Sequence, residues 1–369
     1  MRKVELGVFM PVASNGFIFS THAPQYLPSF DLTKQIAQLA ESGPFDYLFW
    51  MGKWKGFGGK TGFWDQSLEP LTLVSAIATV TNRLRLFATI NPLLFHPAVA
   101  AKIIATLDDV SGGRVGINVV TGNTLDEYEQ MGMVPKGYNE YRYDYAEEWT
   151  TVLKQLWSDD KVTFKGRFFD LVDCESEPKP KQKPYPLIVS AGTSVEGLQF
   201  GAKHSNYQFL GLRPEDIRKV RELAAERGRT IKISTNVLPI VKDTDAEAEK
   251  EFALLRENLD EEALDNLAAS SDRDSPGATH KRSSWLRAPN VIGFGTGLPL
   301  MGSPETVARK MADLVRDSGI DGLQLTFVDY VRDIEHFNRV VAPIFRHMLK
   351  TDGIILGGAD EKIPEQAAS

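Results

Sequence analysis

The sequence predicts an α/β protein built as a parallel (β/α)8 barrel. Three observations carry that prediction. Eight short apolar runs alternate with helix-length segments along almost the whole chain. No shift in composition marks off a second block, so residues 1–369 read as a single barrel domain. Polar and aromatic residues collect where the strands end, on the face where a barrel keeps its site. A doubly wound open sheet is the alternative, and eight strands without a second block favour the barrel.

The elements follow in order. Leu6–Val12 reads as a strand, and Asp31–Glu41 as a helix for which Asp31 suits the N-cap. Phe45–Trp50 is a strand, Leu71–Val80 a helix, Leu84–Ile90 a strand and Ala98–Val110 a helix closed by Gly112 and Gly113. Val115–Val120 is strand-like. Tyr141–Trp157 is helical, with Glu147 and Glu148 on its exposed side. Leu187–Ser190, Val195–Lys203, Tyr207–Leu210, Glu215–Arg227, Ile231–Val241 and Asp245–Leu259 alternate strand and helix. Glu305–Ser318 is a helix, Gly322–Phe327 the last strand and Asp333–Leu349 a terminal helix. Three segments break the repeat and read as insertions: 14–30, 163–186 with a small hairpin, and 270–300. Loops this long are usually functional or disordered. The tail from 358 to 369 reads as frayed.

Composition sets limits on function. The chain is 42% hydrophobic and 25% charged, which excludes general disorder. With 42 Lys+Arg against 49 Asp+Glu the net charge is −7, a poor balance for non-specific nucleic-acid binding. The single cysteine, Cys174, excludes an intrachain disulfide and a Cys-based zinc site. No run approaches the roughly 20 apolar residues of a membrane span. Met1–Glu5 leads straight into a strand-like segment, so a cytoplasmic protein is expected, with no membrane or nucleic-acid partner.

Familiar machinery is mostly missing. No GxGxxG follows a strand, and Gly293–Gly297 lacks the spacing and the helix. There is no phosphate loop and no GxSxG elbow. The six histidines show neither HxH nor HExxH spacing, so no metal is expected.

The strand ends offer candidates, each with a plainer reading. Trp50, Met51, Gly52 and Lys53 end the second strand; Lys53 and Lys60 read equally as solvated loop lysines. Thr89 ends the third and by itself reads as an ordinary strand residue. Asn118 lies among apolar residues in Gly116–Val120, so its amide needs a partner, either a ligand or a side chain. Ala191-Gly192-Thr193-Ser194 opens a helix, either as a simple cap or as an anion site. Arg142 among Tyr138, Tyr141, Tyr143 and Tyr145 suits a phosphate contact. His96 before Pro97 reads slightly better as a helix start. Trp50, Trp54 and Trp64 suit either the core or a wall against a flat ring.

These residues also carry a likeness. Ser20–Tyr26 (STHAPQY), Gly56–Thr61 (GFGGKT) with Phe63-Trp64-Asp65, Ser111–Arg114 (SGGR) with Asn118–Gly122 (NVVTG), Glu127–Gly132 and Arg142–Tyr145 together span most of the chain. On them the sequence resembles the bacterial luciferase-like flavin monooxygenases, most closely the branch that oxygenates pyrimidines. The resemblance implies reduced FMN and O2 as cosubstrates. It also implies a separate NAD(P)H:flavin reductase, a small-molecule substrate and, with the apolar helices Leu71–Val80 and Ala98–Val110, a homodimer or higher homo-oligomer. It implies flavin contacts at Met51, Gly52, Lys53, Asn118, Glu127, Arg142, Tyr143, Gly192 and Ser194. It implies an oxygen pocket at Thr89 and Asn118 whose donors stabilise a flavin-N5-peroxide. That species would attack an electrophilic carbon and cleave an amide-like C–N bond. The loop 14–30, with Phe17, Phe19 and His22, would close over the site.

Phe17, His22, Phe49, Asn91, His96 and Asn123 would border the substrate. Asn123 stands where the pyrimidine branch carries tryptophan, Phe49 is bulkier than its counterpart, and 90–97 differs. The substrate is therefore expected to be a pyrimidine or a related N-heterocycle, or else a sulfone, a halogenated ring or another small xenobiotic. The rival readings are a deazaflavin-dependent dehydrogenase, a non-catalytic flavin-binding barrel and a metal-dependent barrel hydrolase.

Overall fold

The computed structural model describes residues 2–122, 124–273, 282–294 and 298–358. In chain order the strands are β1 (Arg2–Phe9), β2 (Tyr47–Trp50), β3 (Arg85–Ile90), β4 (Val115–Val119), β5 (Val162–Lys165), β6 (Asp170–Cys174), β7 (Leu187–Ser190), β8 (Tyr207–Phe209), β9 (Lys232–Val241), β10 (Leu298–Gly302), β11 (Gly322–Leu325) and β12 (Ile354–Leu356). Eight of them run parallel in the order β1-β2-β3-β4-β7-β8-β9-β11 and close as β11 pairs with β1. The expected (β/α)8 barrel is therefore the fold. β10 extends the sheet beside the long β9, and β12 pairs with the start of β1. The expected hairpin is β5–β6.

Differences from the sequence reading have local causes. The first strand is Arg2–Phe9 rather than Leu6–Val12, because residues 2–4 pair with β12. Met10, Val12 and Ala13 stay apolar because they are buried beyond the strand. The first helix is capped by Ser29, whose Oγ accepts from Leu32 N at 3.2 Å, and Asp31 lies in the first turn. The helix expected to end at Leu259 ends at Glu257, and a second helix, Glu261–Arg273, follows. Its buried positions 263, 264, 267 and 268 have helical spacing and Asp260 caps it, so the signal was present in the sequence. The terminal helix is interrupted by a π-helical turn, Phe337–Val341, just before Pro343, whose ring nitrogen has no proton to give the preceding turn. Glu148 is not a free surface acid. Its carboxylate accepts the backbone N–H groups of Arg167, Phe168 and Phe169 at 2.9, 2.8 and 2.7 Å and pins the β5–β6 turn.

Arg114 of the SGGR stretch is an internal clamp. Its guanidinium donates to the carbonyls of Ala78, Thr81, Leu84 and Ser111 at 2.8–2.9 Å, tying the C-terminal end of one helix to the starts of β3 and β4. At the barrel's N-terminal end Glu5 is buried. It meets Arg85 at 2.9 Å, Lys232 at 2.6 Å and the Tyr207 hydroxyl at 2.9 Å.

Candidate active site

The C-terminal ends of β2, β3, β4 and β7 form the other mouth. Thr89 and Asn118 are directly opposite in the β3–β4 register. Thr89 Oγ1 donates to the Trp50 carbonyl at 2.7 Å and accepts from Asn118 Nδ2 at 3.0 Å. Asn118 is 4% exposed, and its Oδ1 has no hydrogen-bond partner among the described residues. The free polar atom of this pair is thus an acceptor, whereas the resemblance implied donors. Gly52 lies against Thr89, 3.7 Å from its methyl group to an added Cβ.

Beside this pair, Lys53 and Glu127 form a buried ion pair at 2.5 Å. Trp54 N donates to the second Glu127 oxygen at 2.8 Å, and the Thr124 hydroxyl bonds the first. The Lys53 ammonium also sits 4.2 Å from the Phe57 ring centre and 5.3 Å from that of Trp64. Lys53 is therefore not a solvated loop lysine, whereas Lys60 is exposed.

A third group lies along the helix Tyr138–Ser158. Arg142 donates to the Gly122 carbonyl at 3.1 Å and lies 5.6 Å from the Tyr143 ring. The Tyr143 hydroxyl packs against the turn after β7: a Cβ on Gly192 would sit 2.5 Å from it. Gln208 holds that turn through the Gly192 carbonyl at 2.7 Å. Ser194 caps the helix Val195–His204, accepting from Gly197 N at 3.1 Å, so its expected capping role is the observed one.

A roof crosses this mouth. Phe17 is fully buried, 4.0 Å from the Phe9 ring and edge-on to Trp64 at 6.0 Å. Thr61 is the junction. Its N–H and hydroxyl both donate to Asp260 Oδ2, at 2.7 and 2.8 Å, and its carbonyl accepts from the Asn15 amide. Asp260 N donates to the Phe19 carbonyl at 2.6 Å. Gly59, with φ of +74°, lets the start of the helix Glu261–Arg273 press onto it; a Cβ there would lie 2.5 Å from Asp260. The GFGGKT stretch thus clasps a helix.

The residues expected to border the substrate occupy different surroundings. His22 is exposed and faces Glu251 at 3.9 Å. His96 is exposed and caps the helix Pro97–Val110, its Nδ1 accepting from Ala98 N at 3.2 Å. Asn91 is buried beside Gly122 and forms its own turn, Oδ1 accepting from Leu93 N at 2.9 Å. Phe49 is buried between Phe9 and Phe209, at 5.4 and 5.0 Å. Trp50 is fully buried. Asn123, Gly295–Gly297 and the tail after 358 lie outside the described residues.

Sequence reasoning passed over one pair. Asn236 of β9 and Gln324 of β11 are opposite in register, and Gln324 Nε2 donates to Asn236 Oδ1 at 3.0 Å. Gln324 is a polar residue between leucines, the same signal that singled out Asn118, whereas Asn236 follows Ser234 and Thr235. Among the described residues no group of three His, Cys, Asp or Glu is placed to hold a metal, and no helix is long and apolar enough to cross a membrane.

A family model described as luciferase-like monooxygenase matches residues 4–322. Pyrimidine monooxygenase RutA of Escherichia coli (strain SMS-3-5 / SECEC) is 37% identical over 357 residues, which is 93% of this chain and 96% of RutA. Among solved structures, riboflavin lyase RcaE with modified FMN and riboflavin aligns at a TM-score of 0.84 and 22% identity, over 98% of this chain and 94% of its own. Long-chain alkane monooxygenase LadA aligns at 0.82 and 24%, with the same two coverages of 98% and 94%. At these identities the two structures show the shared fold.

Proposed function

We propose, for a chain that belongs to the luciferase-like monooxygenase family, the role of oxygenase in a two-component flavin system. It takes reduced FMN from a separate NAD(P)H:flavin reductase, consumes O2, and cleaves an amide-like C–N bond of a pyrimidine or related N-heterocycle. The observation that carries this reading is the convergence, at one barrel mouth, of an orphaned buried acceptor on Asn118 with an arginine and a capped helix start.

The residues fit the cofactor. Among the described residues no carboxylate pairs with Arg142, whose guanidinium would meet the FMN phosphate together with the amides opened by Ser194. Tyr143 and Gly192 brace that turn. The Lys53–Glu127 pair, neutral as a unit, would fix the loops after β2 and β4 beside the flavin. Reduced flavin, once bound, supplies the electrons for oxygen activation. The protein's part is then to orient the ring, exclude water beneath the Phe17–Trp64 roof, and hold the substrate. Phe9, Phe49 and Phe209 give the substrate an apolar floor, and Asn236 with Gln324 offers amide groups to a heterocycle edge. The 37% identity to RutA supports the pyrimidine class.

The test is an assay with enzymatically reduced FMN, labelled O2 and a panel led by uracil, thymine and barbiturate. Labelled ring-opened product is the expected result. Hydrogen peroxide alone across the panel would reject the pyrimidine class. Turnover without label would reject oxygenation.

A further inference from the structure

A cleft of about 820 Å³ lies at the N-terminal end of the barrel, where β7, β8 and β9 begin. One wall is Lys181–Tyr185; the other is Asn206 and Arg229–Thr230. Its charged lining is Lys181, Lys183 and Arg229, with no carboxylate among them. Lys181 is answered by Asp109 at 2.8 Å. The Lys183 ammonium has no partner among the described residues. Arg229 donates to carbonyls only, those of Ala202 and Ser205, at 2.6 and 2.8 Å. Lys154 stands behind the cleft. Its ammonium lies 5.0 Å from the ring centre of Tyr185 and donates to the His204 carbonyl at 3.0 Å.

Helix capping explains part of this cluster. The three carbonyls close the helix Val195–His204, whose C-terminal end carries about half a negative charge. Arg229 and Lys154 bring two positive charges to that end, and Lys183 brings a third. Lys203 is already matched by Glu147. Roughly two positive charges are therefore left over. Such an excess is costly when it is taken from water. Burial, with Arg229 and Lys203 beside it, pushes the Lys154 ammonium down to about 7, and burial holds Arg229 below its ordinary range. The Glu5 cluster answers its charges from within; these cations are unanswered.

We propose that this cleft is an anion site that takes a phosphate group, free or carried as a monoester. Lys183 and Arg229 are its charged contacts. Asn206 accepts from Ile188 N at 2.9 Å through Oδ1, so its N–H2 is the end left for a ligand, and Thr230 adds a hydroxyl. A phosphate dianion offsets the leftover charge and offers oxygens to all four donors. A carboxylate brings one charge and two oxygens. The cleft is at the opposite end of the barrel from the flavin mouth and does not depend on the flavin reading.

The experiment is calorimetric titration of the full chain with inorganic phosphate and with glycerol 3-phosphate, chloride holding the ionic strength constant. Saturable binding to the wild type is expected. Lys183→Met and Arg229→Met are each expected to weaken it about tenfold, the scale of one lost charge-assisted contact. Arg142→Ala, which alters only the mouth, is expected to keep the wild-type affinity. Circular dichroism verifies each fold, and Lys183→Met carries the test if Arg229→Met fails to fold. Tighter binding of glycerol 3-phosphate would assign the ester as occupant, and tighter binding of inorganic phosphate the free anion; either order upholds the site. No saturable binding of either would overturn it. So would binding that survives both cleft variants, or binding lost in Arg142→Ala, which would move the phosphate to the mouth.

Discussion

At the N-terminal end of the barrel, Glu5 meets Arg85, Lys232 and Tyr207, all within 2.9 Å, so the buried charge is answered from within the protein. At the C-terminal end, the Asn118 Oδ1 is buried with no donor, and Arg142 has no carboxylate partner among the described residues. The same eight strands supply both ends. The difference teaches that a satisfied polar cluster belongs to folding, whereas an unsatisfied one at a strand end is reserved for a ligand.

The largest expected effect comes from breaking the satisfied end. Glu5→Gln removes the carboxylate bonded to Arg85 and should lower stability by about 3 kcal/mol, the scale of removing one partner from a buried pair. The affinity of the folded protein for FMN should not change. Urea unfolding with and without FMN measures both. Burial by itself would raise the Glu5 carboxyl, but Arg85 and Lys232 outweigh it and hold it below the ordinary range. Its stabilising contribution is then fully present above the unfolded value of about 4.3 and is lost as pH falls through the depressed folded value. The acid limb of unfolding should flatten in Glu5→Gln; an unchanged limb would remove Glu5 from the account.

The open end should respond in the opposite sense. Arg142→Ala is expected to leave the melting temperature unchanged and to weaken FMN binding by more than about 1 kcal/mol, the loss of a charge-assisted contact. The roof falls between the two. Thr61→Val removes one hydroxyl donor to Asp260 and should lower stability by about 1 kcal/mol. It should also raise the hydrogen peroxide released per turnover, because water reaches the mouth more freely. The smallest effect belongs to His96→Ala, which should lower stability by about 0.5 kcal/mol as a lost cap and leave substrate kinetics alone. A changed KM would return His96 to the substrate.

The barrel was legible because its signal is periodic: each strand is an apolar run with a helix after it, and the eight observed strands lie on the runs read from sequence. The strand ends were legible for the same reason, but it was the family resemblance that joined Thr89 to Asn118. The roof was not. Thr61, Gly59 and Asp260 are joined across some 200 positions of chain, and no local pattern records that Thr61 bonds Asp260. His22 and His96 were drawn to the substrate by their place in segments the family resemblance points to, while one faces Glu251 and the other caps a helix. Gln324 carried the same signal as Asn118 and, with its partner Asn236, was passed over because no family motif pointed to it.

The most direct measurement is the FMN-induced shift in melting temperature for wild type, Glu5→Gln and Arg142→Ala, taken anaerobically with reduced FMN. Binding to the native state raises the melting temperature according to affinity. Equal shifts are expected for wild type and Glu5→Gln, despite the lower baseline of the latter, and a much smaller shift for Arg142→Ala. An undiminished shift in Arg142→Ala, or a shift lost in Glu5→Gln, would contradict the division of the barrel into a closed end and a ligand end.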